Sequence, residues 1–187
     1  YECGCSEIDE GACDCDGSIP AEGYDCNGQY LSDLDFLEDL ISNNNFEEGD
    51  VNVSWSDYGR INYLSINNNL SGIFPDSISD LDSLSSLIIK NNIDLTGVMP
   101  SEIGALSKLS ELNIQYNNLS GEIPESIGNL SNLSILKLSY NQLDGIIPDA
   151  ICNLNINWES VYFSITGNNL CPPYPECIQE YTNYIDH

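Results

Sequence analysis

Cysteine and carboxylate are the reactive side chains this sequence holds in number. Its 187 residues include eight Cys, thirty Asp and Glu, four Lys and Arg, and a single His, the terminal His187. A nucleophile activated by histidine needs the imidazole beside it, so such a device would hang from the last residue. The same count rules out a His-rich metal site. With thirty acids, pairs of carboxylates are unavoidable. Glycosidase chemistry needs two of them in one cleft, one with a raised pKa, and no feature of the sequence picks out such a pair. No phosphate loop or dinucleotide-binding motif is present. The chain therefore reads as non-enzymatic, with no cofactor except Ca²⁺ near its start. There Asp14 and Asp16, with Glu10 nearby, offer the oxygen ligands that Ca²⁺ takes. The first 50 residues carry 15 acids and no Lys or Arg, so a cation would relieve repulsion there, although a solvated acidic surface explains the same pattern.

The net charge of −26 argues against nucleic acid and anionic membranes as partners, since phosphates call for Lys and Arg. No apolar run approaches the roughly 18 residues of a membrane-spanning helix. An even, high cysteine count on an acidic, Lys-poor chain suits disulfides and an extracellular location. A start at Tyr1 fits removal of a signal segment. The disulfide candidates are Cys3, Cys5, Cys13, Cys15 and Cys26 at one end and Cys152, Cys171 and Cys177 at the other. Both groups are odd in number, so local pairing leaves one thiol over at each end.

What positions these residues is a repeat. Gly-x-x-Pro occurs at Gly72–Pro75, Gly97–Pro100, Gly121–Pro124 and Gly145–Pro148, spaced by 25, 24 and 24 residues. Before each glycine lies an alternating segment followed by Asn, clearest in Leu112-Asn-Ile114-Gln-Tyr-Asn117-Asn-Leu119-Ser-Gly121-Glu-Ile123-Pro124. Alternation points Leu112 and Ile114 to one side of a strand. The Asn side chain both donates and accepts, so Asn92, Asn117, Asn141 and Asn168 are expected to join neighbouring coils as a buried ladder. Gly121 allows a bend closed to other residues, and Pro124 suits the start of a short helical turn. A coil of this length cannot bury its apolar edge alone, so the coils must stack. Leu64 to Gly72 is one residue shorter than Leu112 to Gly121, and Leu87 to Gly97 one longer; bulged turns in a continuous stack are expected.

These residues form the leucine-rich repeat pattern, and the Leu-Ser-Gly-x-Ile-Pro stretch resembles its plant-type subclass over roughly Ile61 to Leu170. The resemblance implies an α/β solenoid: a right-handed superhelix with a parallel β-sheet on the concave face and short helical or 3-10 segments on the convex face. The expected organisation is a Cys/Asp-rich segment at 1–30, a helix and capping strand at 31–60, repeats at 61–154, and a closing repeat with a Cys-containing cap at 155–187. Ser32 is a plausible N-cap for a helix through Leu40, and Val51 to Trp55 alternates like an edge strand. Trp55 with Gly59-Arg60-Ile61 resembles the N-terminal cap of plant leucine-rich repeat proteins. Its usual cysteine pair is absent from residues 27–151, so apolar packing is expected to hold the cap. Cys3-Gly-Cys5 and Cys13-Asp-Cys15-Asp-Gly17 resemble a short repeat of secreted marine bacterial proteins, and Leu170-Cys171-Pro-Pro-Tyr-Pro-Glu-Cys177 resembles the C-terminal closure of leucine-rich repeat proteins in the same bacteria.

In such a solenoid the residues between the inward leucines line the concavity. The candidate ligand-binding set is Tyr63, Asn67, Lys90, Glu111, Asn113, Gln115, Lys137 and Tyr162. Two of the four basic residues fall on this strip against one acid, Glu111, so it is close to neutral within a strongly acidic molecule. Three functional readings follow. One is a secreted recognition module that binds a protein or glycan. Another is a structural subunit that joins copies of itself head to tail through its Cys-rich ends, since stacked coils put those ends roughly 25 Å apart at about 4.8 Å per strand and a disulfide needs Cα atoms within about 7 Å. A third, by likeness of fold alone, is an inhibitor of a polysaccharide-degrading enzyme. Five Asn-x-Ser sequons, at Asn52, Asn69, Asn118, Asn129 and Asn132, would carry glycans in a eukaryotic secretory pathway.

Overall fold

The computed structural model describes residues 31–42, 44, 46, 49–158 and 161–184. The segment 1–30, with five of the cysteines and the proposed Ca²⁺ ligands Glu10, Asp14 and Asp16, lies outside them. Along the described chain the elements are helix α1 (Leu31–Ser42) and strands β1 (Val51–Trp55), β2 (Ile61–Asn67), β3 (Gly72–Ile73), β4 (Ser86–Lys90), β5 (Leu95–Thr96), β6 (Glu111–Asn113), β7 (Ser120–Gly121), β8 (Ile135–Lys137), β9 (Gln142–Ile146), β10 (Phe163–Ser164) and β11 (Asn169–Cys171). Short 3-10 turns follow at Asp76–Asp80, Ser101–Ala105, Glu125–Asn129, Asp149–Asn153 and Glu176–Tyr184.

One six-stranded sheet, ordered β1-β2-β4-β6-β8-β10, runs through the described residues from Val51 to Ser164. Its register explains the repeat. Leu64 lies opposite Leu87, Leu87 opposite Leu112, Leu112 opposite Leu136, and Leu136 opposite Phe163. All five are fully buried, so one inward position repeated per coil builds a continuous apolar column. Losing one such Leu side chain costs about 2–5 kcal/mol. On the opposite flank each coil passes through Pro75, Pro100, Pro124 or Pro148, at φ between −65° and −75°, into a 3-10 turn whose central Ile78, Ile103, Ile127 or Ile151 is buried. Proline fits there because its φ is preset and the lost N–H was not needed. The architecture is the α/β solenoid with a parallel concave sheet and short convex turns.

The unequal repeat lengths do not disturb the sheet. Strands β2 and β4 pair without a break from Tyr63–Ser86 to Asn67–Lys90. The differences are absorbed just beyond it: the short first coil turns through Asn68 and Asn69, both at positive φ, and the long second coil pushes an exposed Ile93 outward. A further set of paired strands, which the repeat pattern did not announce, then leads each coil toward its proline, as β3-β5 and as β7-β9-β11. Gly121 sits there at φ +75°, and a Cβ on it would come within 2.9 Å of the Val98 side chain of the preceding coil. The glycine is required both for its backbone angle and for the room it leaves.

Between the main sheet and these shorter paired strands runs the asparagine ladder. Asn117 accepts from the Asn92 backbone N–H at 2.9 Å and donates to the carbonyls of Ile89 and Ile114, each at 2.8 Å. Asn141 repeats this with Leu119 N–H and the Ile114 and Leu138 carbonyls, and Asn168 with Leu143 N–H and the Leu138 and Ile165 carbonyls. Asn92 accepts from Leu70 N–H. The ladder ends there: the equivalent Asn69 is exposed and donates to Asp50 at 2.7 Å instead.

At the N-terminal end Phe36, Leu37 and Leu40 of α1 close the core, and β1 pairs antiparallel with β2. Two details depart from expectation. Ser32 lies inside the first turn of α1, where its hydroxyl approaches Asp33 at 3.5 Å, and is not the residue preceding the helix. The cap also does not rest on apolar packing alone. Asp33 is fully buried, accepts from Ile61 N–H at 2.6 Å, and forms an ion pair with Arg60 at 3.1 Å. Burial alone would lower the Arg60 pKa, but the hydrogen bonds and charges of Asp33 and Asp82 outweigh it and raise it, so the guanidinium stays charged. At the other end Trp158 packs edge-on against Phe163 at 5.1 Å, Ile178 is fully buried, and a disulfide joins Cys152 to Cys177.

Candidate binding surface

The strands of the main sheet place six of the eight candidate ligand-binding residues on one face. Tyr63 and Asn67 stand on β2, Lys90 on β4, Glu111 and Asn113 on β6, and Lys137 on β8, while Gln115 follows β6 and Tyr162 precedes β10. Pairing turns them into rows that cross the strands. Ser86 lies opposite Glu111 and Glu111 opposite Ile135; Ile88 lies opposite Asn113 and Asn113 opposite Lys137. Tyr63, Asn67, Lys90, Glu111, Gln115 and Lys137 are half-buried, Tyr162 is exposed, and Asn113 is buried at 7% exposure.

Polar partners on this face are sparse. Ser86 donates to the Glu111 carboxylate at 3.1 Å, which ties down the one acid of the strip, and Asn67 donates to Ser65 at 3.0 Å. Among the described residues both ion pairs belong to Arg60, and neither Lys90 nor Lys137 has an acidic partner. Lys108 lies off this face and donates to Ser83 at 3.1 Å. The Asn113 side-chain oxygen is buried and has no donor. Near the C-terminal end Ser139 and Ser164 share a short hydroxyl–hydroxyl hydrogen bond, and Thr166 donates to Ser139 at 3.3 Å.

Sequence reasoning did not anticipate a pair of stacked tyrosines beside these rows. Tyr116 and Tyr140 lie face to face at 4.5 Å with planes 9° apart, each at φ 58° and half exposed. Their signal was present as Tyr immediately before Asn117 and Asn141, one repeat apart. Of the cysteines, Cys171 stood among the disulfide candidates; it is free and exposed, while Cys152 and Cys177 pair with a Cα separation of 5.6 Å. Two concavities lie away from the strip. One, of about 460 Å³, is bounded by Phe36, Leu40, Leu70, Ile73 and Pro75. The other, of about 700 Å³, lies beside the disulfide and is bounded by Asp149, Tyr174 and Glu176. Among the described residues no cluster of three or more His, Cys, Asp and Glu side chains could hold a metal ion, and no helix is long and apolar enough to cross a membrane.

Residues 107–159 match the leucine rich repeat family model. The fold is the leucine-rich repeat solenoid. Solved structures align with it along most of its length. The PEPR1–AtPEP1 structure is 23% identical, covers 82% of this chain and 24% of its own, and superposes with a TM-score of 0.68. The Arabidopsis receptor kinase HAESA, solved with the peptide hormone IDA and the co-receptor SERK1, is 33% identical over 64% of this chain and 21% of its own, with a TM-score of 0.55. The leucine-rich repeat ectodomain of the Arabidopsis thaliana receptor kinase SOBIR1 is 26% identical, covers 86% of this chain and 89% of its own, and has a TM-score of 0.60. The chain thus spans about a quarter of the first structure, a fifth of the second and nine-tenths of the third. None of the curated proteins matches the sequence.

Proposed function

We propose that this protein is a non-enzymatic recognition module of the cell exterior that docks a protein partner on its concave sheet. The observation that carries this reading is the strip itself. A rigid sheet presents half-buried polar side chains and two lysines with no acidic partner among the described residues, in a chain of net charge −26. A preformed surface of this kind loses little conformational freedom on binding. Support comes from HAESA, similar in fold and in a third of its aligned residues, which is solved with a peptide hormone and a co-receptor. The Cys152–Cys177 disulfide favours an oxidising compartment. The likeness of residues 1–30 and of Leu170 to Cys177 to secreted marine bacterial proteins points the same way.

A photo-crosslinking residue placed at Gln115, on the strip, or at Ser131, on the convex side, tests the site in secreted material from the source cells. The reading expects one protein species joined at Gln115 and not at Ser131. Crosslinks confined to Ser131 would overturn it. A second reading, covalent joining of copies end to end, is favoured by the exposed free thiol of Cys171 together with the odd number of cysteines in residues 1–30. It expects reductant-sensitive oligomers that vanish in Cys171→Ser; a monomer in non-reducing size-exclusion chromatography removes it.

A further inference from the structure

We infer that the C-terminal half of the concave sheet holds a subsite for an acidic peptide segment, built from Asn113, Lys137 and Ser164 with Lys90 as a second anchor; this rests on the recognition reading and names its ligand chemistry. The pairing of β6, β8 and β10 sets Asn113 beside Lys137 and Lys137 beside Ser164 in one row. Two of the three leave a valence open. Asn113 is more than nine-tenths buried and its side-chain oxygen has no donor. A buried acceptor in that state is costly until a donor arrives. Lys137 has no acidic partner among the described residues. Ser164 shares a hydroxyl–hydroxyl hydrogen bond with Ser139 at the end of the row.

A ligand that answers both brings an N–H or O–H donor to Asn113 and an anionic oxygen to Lys137, about one strand spacing, roughly 4.8 Å, away. A fully deprotonated inorganic anion such as sulfate offers no donor. A peptide offers both, as a backbone N–H beside an Asp or Glu carboxylate. Lys90 fixes the reach. It stands two strands and about two residues from Lys137, roughly 12 Å on the diagonal, close to the separation of side chains four residues apart on one face of an extended segment. Net charge works against an acidic ligand at long range. At physiological ionic strength, however, the screening length is about 8 Å, so the groups on the row decide. The nearby acid, Glu111, is engaged by Ser86.

The test titrates the isotope-labelled full chain with the blocked peptide Thr-Glu-Thr-Val-Thr-Glu-Thr, its Gln-for-Glu counterpart, and an oligogalacturonate. Amide shifts are expected at Asn113, Lys137 and Ser164. Lys137→Gln and Lys90→Gln should each weaken the Glu peptide by about three- to tenfold, and the Gln peptide should bind the parent chain comparably poorly. Asn113→Leu removes only an unsatisfied group, so it should keep the urea midpoint at or above the parent's while weakening the peptide. Equal binding of the two peptides, shifts elsewhere, an unaffected Asn113→Leu, or tighter binding of the oligogalacturonate overturns the inference. If crosslinking at Gln115 succeeds while the peptide does not bind, the subsite falls and the recognition reading stands.

Discussion

Removing Arg60 tests whether a buried charge pair holds the N-terminal cap together. Asp33 is fully buried, and its carboxylate accepts from Ile61 N–H at 2.6 Å and from Arg60 Nε at 3.2 Å, while Arg60 also donates to the Asp80 carbonyl at 2.8 Å. On the far side Arg60 meets Asp82 at 3.0 Å, but the Asp82 side chain is 63% exposed. The two ion pairs are similar in distance and opposite in environment, so the magnitudes should separate. Arg60→Ala leaves a carboxylate buried with one backbone donor, and breaking a buried pair from one side costs about 3–5 kcal/mol. Asp33→Ala orphans the buried Ile61 N–H and should cost a similar amount. Asp82→Ala removes only an exposed pair, worth at most about 1 kcal/mol. Urea unfolding of the three variants, with the Asp33–Arg60 double variant to complete the cycle, should give a coupling of about 1–3 kcal/mol for the buried pair alone. If Asp82→Ala proved as costly as Asp33→Ala, or Arg60→Ala cost under about 1 kcal/mol, the reasoning would be refuted.

Asn117→Ala strips four hydrogen-bond partners from the buried ladder and is expected to cost about 2–4 kcal/mol in urea unfolding, whereas Asn69→Ala, exposed and off the ladder, should cost under about 0.5 kcal/mol. Gly128→Ala would place a Cβ 2.6 Å from the Ala150 carbonyl oxygen of the next coil, so it should lower the unfolding midpoint by about 1–3 kcal/mol equivalent. Gly72→Ala meets no atom within 4 Å and bears only the strain of φ +87°, so a smaller loss of about 1–2 kcal/mol is expected from the same measurement. Replacing Cys152 and Cys177 by Ser opens a link across 25 residues and should cost about 3 kcal/mol, read by differential scanning under non-reducing conditions.

The repeat and its physics were legible because each coil makes the same demand. Four glycine–proline pairs at near-constant spacing can satisfy their apolar edges only by stacking, so the sheet, the buried Leu column and the convex turns follow from periodicity. The facing of the strand side chains was equally legible, since alternation fixes which of them share a face. The second set of strands was not, because each contributes only two to five residues, too few for a period to register. Arg60 and Asp33 were also invisible as partners. They are 27 positions apart, outside the repeat, and neither residue type predicts burial.

By itself, then, the sequence determined the period, the inward face and the places where glycine and proline must fall, because these are local requirements repeated until they dominate. Only the tertiary structure decided which of four basic residues is spent inside the cap, which have no acidic partner among the described residues, and which of three C-terminal cysteines keeps its thiol. Those outcomes depend on distances between coils and ends, and no local pattern encodes them.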